Sequence, residues 1–81
     1  MFYVYILKSL KDGKLYTGFS SDLKTRVKNH NEGLNDSTKF RRPLKLIYYE
    51  AYLNEKDARQ REMFLKSGRG REVIHKQINN S

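Results

Sequence analysis

The sequence predicts an α/β protein of the α+β kind, a small three-stranded antiparallel sheet flanked by helices in the order β-β-α-β-α-α. Three observations predict it. Two short runs rich in aromatic and β-branched residues, Phe2 to Leu7 and Leu15 to Phe19, flank the pair Asp12-Gly13. A third, alternating run from Leu44 to Ala51 follows Pro43. The remaining segments carry apolar residues at helical spacing behind Ser, Asp or Asn caps.

The first two runs make a hairpin, because Asp-Gly favours a two-residue type I′ turn in which both central residues take positive φ. Such a loop places Leu7 opposite Gly18, Ser9 opposite Tyr16 and Tyr5 opposite Ser20. Tyr5 and Tyr16 then share a face, and Gly18 leaves a depression between the two phenols. Ser20, Ser21 and Asp22 offer caps for a first helix over about residues 22–32, with Leu23, Val27 and Leu34 on one stripe and Gly33 near its end. His30 falls within that stripe and Arg26 at its edge, so both point toward the sheet. Residues 34–43 form a polar connection charged by Lys39, Arg41 and Arg42. Asn54 caps a second helix, with Asp57 as its reciprocal partner, that runs to about Lys66 before Ser67-Gly68 breaks it. Gly70 sets off a short last helix holding Val73, Ile74 and Ile78. On the second helix Ala58, Glu62 and Leu65 share a face, which puts a carboxylate on the packing side.

At 81 residues one domain spanning 1–81 is expected, since two cores of this size would not bury enough apolar surface to offset chain entropy. Seventeen Lys and Arg against nine Asp and Glu give a net charge of +8, which makes nucleic acid the expected partner. The absence of cysteine excludes disulfides, thiolate zinc sites and thiol nucleophiles, so any metal must sit on oxygen or imidazole. No apolar run approaches the roughly 20 residues of a membrane span, and Lys8 and Lys11 follow the apolar N-terminus without a cleavage signal. A soluble, cytoplasmic protein is the expectation.

Tyr5, Tyr16, Arg26, His30 and Glu62 come from two strands and two helices and are predicted to face one interior region. One carboxylate, one arginine and phenolic and imidazole groups suit phosphate chemistry: oxygen for a hard metal, fixed positive charge for the phosphorane, a base for water. Each residue also has a plainer reading. Tyr5 fits core packing, His30 a satisfied core histidine, Arg26 a solvated or phosphate-binding cation, and Glu62 a structural ion pair with Arg59, Arg61, Lys66 or Arg26.

Together these residues resemble the GIY-YIG nuclease superfamily, in particular its small single-domain bacterial members, which are similar to the nuclease module of UvrC. The two short motifs appear as Val4-Tyr5-Ile6 and Tyr16-Thr17-Gly18, followed by Arg26 in Leu23-Lys24-Thr25-Arg26, by His30, and by the helix Ala58-Arg59-Gln60-Arg61-Glu62. The resemblance implies a metal-dependent endonuclease acting on DNA, in repair or recombination, through a single Mg²⁺ or Mn²⁺ held by Glu62. Arg26 would neutralise transition-state charge, Tyr16 would act as general base, and Tyr5 and His30 would position water and phosphate or take part in proton transfer. The products would carry 5′-phosphate and 3′-hydroxyl ends. Larger relatives add a recognition module, so low sequence specificity, or a protein partner that supplies it, is expected here. Lys39, Arg41, Arg42, Arg69 and Arg71 are the candidate phosphate contacts, with plain solvation as the other reading. Two departures stand out: Val4 occupies a glycine position of the first motif, and the distal asparagine has no clear counterpart among Asn54, Asn79 and Asn80. A binding module that keeps the fold and charge with little or no cleavage is the alternative.

Overall fold

The two aromatic runs form antiparallel strands β1 (Phe2–Ser9) and β2 (Leu15–Ser20) in the computed structural model of the chain, which describes residues 1–78. The hairpin register differs from the two-residue expectation: Tyr5 lies opposite Gly18 and Leu7 opposite Tyr16. The cause is the turn chemistry. A type I′ turn needs positive φ at both central residues, but only Gly13 adopts it here, at φ +73°. Ser9 anchors a longer loop instead, its hydroxyl accepting from the N–H groups of Lys11 and Asp12 at 3.2 Å each while its own N–H donates to the Lys14 carbonyl at 2.9 Å. The shift is by two residues, which preserves the side-chain period, so Tyr5 and Tyr16 still share a face. The expected depression at Gly18 is filled: the Tyr5 ring lies across it, and a Cβ there would overlap the ring and its hydroxyl.

β3 (Leu44–Tyr52) pairs antiparallel with the other edge of β1, giving the sheet order β2-β1-β3. Its register slips between Ile6 and Leu7, which face Tyr48 and Leu46 and leave Ile47 as an extra residue. This bulge reverses the alternation, so Leu44 and Leu46 pack on the face of Tyr5 and Leu7 while Tyr48 and Tyr52 pack on the face of Val4 and Ile6. Glu50 is carried to that second face, where its carboxylate accepts from the Tyr48 and Tyr52 hydroxyls at 2.5 and 2.6 Å and from Arg61 at 3.0 Å. Burial raises the Glu50 carboxyl, but these hydrogen bonds outweigh it and hold the group below its ordinary range.

α1 (Leu23–Asn31) starts at Asp22, whose carboxylate accepts from Thr25 N, and covers the Tyr5 face through Leu23 and Val27. It ends before Leu34, which is exposed rather than part of the buried stripe. The Asn31 amide docks against the start of β3, donating to the Leu44 carbonyl at 2.9 Å and accepting its N–H at 2.8 Å. The polar connection holds one 3₁₀ turn, Lys39–Arg41. α2 (Glu55–Lys66) and α3 (Gly68–Gln77) cover the opposite face, where Ala58, Leu65 and Ile74 pack on Val4 and Ile6. Asn54 caps α2, and Ser67 both ends α2 and caps α3 by accepting from Gly70 N. Gly70 is therefore inside α3, not before it: its missing Cβ lets the α2 backbone at Phe64 and Leu65 approach.

Candidate active site

Tyr5 sits on the central strand with 1% of its surface exposed. Its hydroxyl meets His30 Nε2 at 2.8 Å, and His30 Nδ1 meets the Thr38 hydroxyl at 2.7 Å, with both residues fully enclosed. Burial pushes the His30 imidazole below its ordinary value and the nearby Arg26 charge adds to the shift, so the ring is neutral at neutral pH. A neutral imidazole has one donor and one acceptor nitrogen, so the line supports two proton arrangements. Either Tyr5 donates to Nε2 while Nδ1 donates to Thr38, or both bonds reverse. Burial, then the neighbouring Tyr16, raise the Tyr5 phenol far above its ordinary range against a smaller lowering by Arg26, so Tyr5 keeps its proton. The Tyr16 ring stands edge-on to the same imidazole, centroids 5.1 Å apart.

Beyond the free edge of β2, an open cleft of about 440 Å³ is lined by Tyr5, Tyr16, Gly18, Arg26, Arg59 and Glu62. α1 delivers Arg26 from one side of the sheet, and α2 delivers Arg59 and Glu62 from the other. The site is therefore assembled around a strand edge, not within one interior face. Arg26 is exposed at the rim, whereas the Glu62 side chain keeps only 13% of its surface and pairs with Lys66 Nζ at 3.0 Å. The Arg59 guanidinium lies 3.8 Å above the Phe19 ring and 3.6 Å from Glu55, which holds it beside the cleft.

The donor set suits a hard ion. Glu62 is the carboxylate of the cleft, and among the described residues no group of three His, Asp or Glu side chains gathers as a protein cage. Mg²⁺ fits such a site because it retains several waters and binds through one or two carboxylates together with substrate phosphate oxygens.

The model of the GIY-YIG catalytic domain matches residues 1–76. The chain belongs to the GIY-YIG catalytic domain family. A UPF0213 protein of Clostridium perfringens is 46% identical over 67 residues, covering 82% of this chain and 71% of that one. One from Staphylococcus saprophyticus is 42% identical over 66 residues, covering 80% and 79%. The solution NMR structure of a UPF0213 protein from Bacillus halodurans superposes with a TM-score of 0.58 at 34% identity, covering 95% of this chain and 85% of that one. The family is one of nuclease domains, whose substrates are nucleic acids.

In this GIY-YIG chain the two motif strands meet as Tyr5 opposite Gly18. Val4, at the glycine position of the first motif, is buried against Ile6 and the α2 and α3 core, away from the cleft. Arg26, Tyr5, Tyr16 and Glu62 line the cleft directly, and His30 lies behind Tyr5. The basic candidates separate. Arg41 and Arg71 border one groove beside Tyr16, while Lys39 pairs with Asp36 at 3.3 Å, Arg42 folds over Gly33 and donates to the Lys39 carbonyl, and Arg69 is exposed in the first turn of α3. Asn54 is occupied as the α2 cap, and Asn79 and Asn80 lie outside the described residues. Two residues of the site escaped the sequence reading. Arg59 was readable, being three residues before Glu62 on the same helical face, but Thr38 gives no local signal within a polar connection. Among the described residues no helix is long and apolar enough to cross a membrane.

Proposed function

We propose that the chain is a single nuclease domain that hydrolyses phosphodiester bonds in DNA with one Mg²⁺ or Mn²⁺ held by Glu62. The observation that carries this reading is the convergence of Glu62, Arg26, Tyr16 and Tyr5 on one open cleft, with Tyr5 hydrogen-bonded to a neutral buried histidine. When bound, the metal supplies a Lewis acid for the scissile phosphate and for the leaving 3′ oxygen. Arg26 sets a fixed positive charge against the phosphorane. Tyr16 is the base that faces the attacking water. With its O–H donated to His30, Tyr5 turns its oxygen lone pairs to the cleft and orients that water, and Thr38 fixes the imidazole that receives the bond. The products are a 5′-phosphate and a 3′-hydroxyl, and a place in DNA repair or recombination is what the resemblance of the motifs to the UvrC nuclease module implies.

The second reading, a nucleic-acid-binding module with little cleavage, draws on one observation: the Lys66 ammonium already neutralises Glu62 at 3.0 Å. Labelled single-stranded, duplex and branched DNA, incubated with Mg²⁺, Mn²⁺ or EDTA, separates the two. Metal-dependent cleavage is expected, lost in Glu62→Ala and Arg26→Ala while binding persists. Binding without cleavage on every substrate, indifferent to Glu62→Ala, would establish the binding module and make Glu62 structural.

A further inference from the structure

Next to the cleft runs a larger groove of about 640 Å³, between the end of the β1–β2 hairpin and the α2–α3 corner. Its floor is apolar, from Ile6, Leu15, Leu65 and Ile74, and its ionisable border consists of Lys14, Arg41, Lys66, Arg71 and His75 together with Tyr16. Among the described residues no Asp or Glu lines it. Arg41 is fixed in place, with Nη2 donating to the Leu15 carbonyl at 3.4 Å and Nε 3.7 Å from Asp12. Among the described residues Lys14 and Arg71 make no ion pair, so their charges face solvent, and the exposed His75 ring lies beside them.

Two features join this groove to the cleft. Tyr16 lines both, and Lys66 on the groove side bonds Glu62 on the cleft side. A strand whose phosphate sits between Arg26 and Glu62 therefore has one continuous basic path away from Tyr16.

We infer that the groove of Lys14, Arg41, Lys66, Arg71 and His75 holds the sugar–phosphate backbone of the nucleic-acid strand adjoining the scissile phosphate. The inference rests on the nucleic-acid reading of the cleft and adds where the strand runs. The basic border takes the phosphates and the apolar floor takes the sugars, which gives affinity without base readout. An acidic polypeptide meets the same charges but gains nothing from continuity with a phosphate-cleaving cleft.

The test measures equilibrium binding of a labelled single-stranded oligonucleotide in EDTA across a salt series. It compares the wild type, Lys14→Ala/Arg71→Ala and the control Lys45→Ala/Lys56→Ala, which removes the same charge from exposed positions outside the groove. Lys66 is left intact because it bonds Glu62. Circular dichroism verifies that each variant is folded. Loss of two phosphate contacts is expected to make the slope of log K against log salt shallower by about 1.4 in the groove variant, to weaken oligonucleotides of every sequence alike, and to leave the control near wild type. Equal slopes in the groove and control variants would overturn the inference, as would polyglutamate binding that matches the oligonucleotide and responds to the same substitutions. Cleavage in the Mg²⁺ assay of the preceding subsection, with an unmoved slope here, sinks this inference alone. Groove-dependent binding without cleavage sinks the nuclease reading alone.

Discussion

Replacing Gly18 by alanine sets two physical effects of opposite sign against each other. Gly18 lies in a strand at ordinary φ, and there a Gly→Ala change usually stabilises by about 0.4–1 kcal/mol by restricting the unfolded chain. At this position the added Cβ would overlap the Tyr5 ring and hydroxyl and approach Cε2 to 2.8 Å. The ring has nowhere inexpensive to go, being 1% exposed, packed with Leu7 and Leu44, and hydrogen-bonded to His30. Overpacking of this kind costs about 1–3 kcal/mol, and a displaced hydroxyl forfeits about 1 kcal/mol more from the His30 bond. Subtracting the entropic gain leaves a net loss of roughly 1–3 kcal/mol. For a domain of this size that lowers Tm by roughly 5–20 °C. Thermal unfolding followed by circular dichroism reads the sign directly. A double-mutant cycle with Tyr5→Phe should show a coupling above about 0.5 kcal/mol, because the hydroxyl is part of the clash. A stabilised Gly18→Ala, or strict additivity with Tyr5→Phe, would refute the claim that this glycine exists to admit the Tyr5 ring.

Three further outcomes follow from the same geometry. Burial, with the Arg26 charge adding to it, pushes the folded His30 imidazole below its ordinary value of about 6.5. The unfolded state therefore binds the proton first, and stability falls as pH drops below about 6.5, with a slope of at most about 1.4 kcal/mol per pH unit. Urea titrations of wild type and His30→Gln between neutral and mildly acidic pH should show that the slope is much reduced in the variant, and equal slopes would place the titrating group elsewhere. Glu50→Ala strips Arg61 and two phenols of their shared acceptor. With both charged side chains mostly enclosed, at 16% and 27% exposure, the expected cost is about 2–3 kcal/mol in urea unfolding; a change under about 0.5 kcal/mol would mean that the network is idle. Gly70→Ala drives a Cβ into the Phe64 carbonyl and should destabilise by about 2 kcal/mol or more, against the gain that helix propensity alone assigns to alanine. A raised Tm would show that α3 can shift away from α2 without loss.

The sequence by itself determined the element order and the face that most side chains take. Tyr5 and Tyr16 on one side of the hairpin, His30 turned inward from α1, and Glu62 aligned with Ala58 and Leu65 all follow from periods of two and 3.6 residues, which are properties of the local backbone. Those periods survive a register error of two, which is why the shared face was legible although the partner residues were not. Only the tertiary structure decided what depends on contacts distant in the chain. Ser9, which anchors the longer turn, also bonds to the Arg41 carbonyl across the sheet end, and the bulge at Ile47 carries Glu50 to the Arg61 side. Thr38 reaches His30 from a polar connection, and Arg26 and Glu62 meet around the edge of β2 from opposite faces of the sheet. A repeating pattern fixes where one element points, but which strand edge stays free, and what gathers there, is set by packing between elements that no local period encodes.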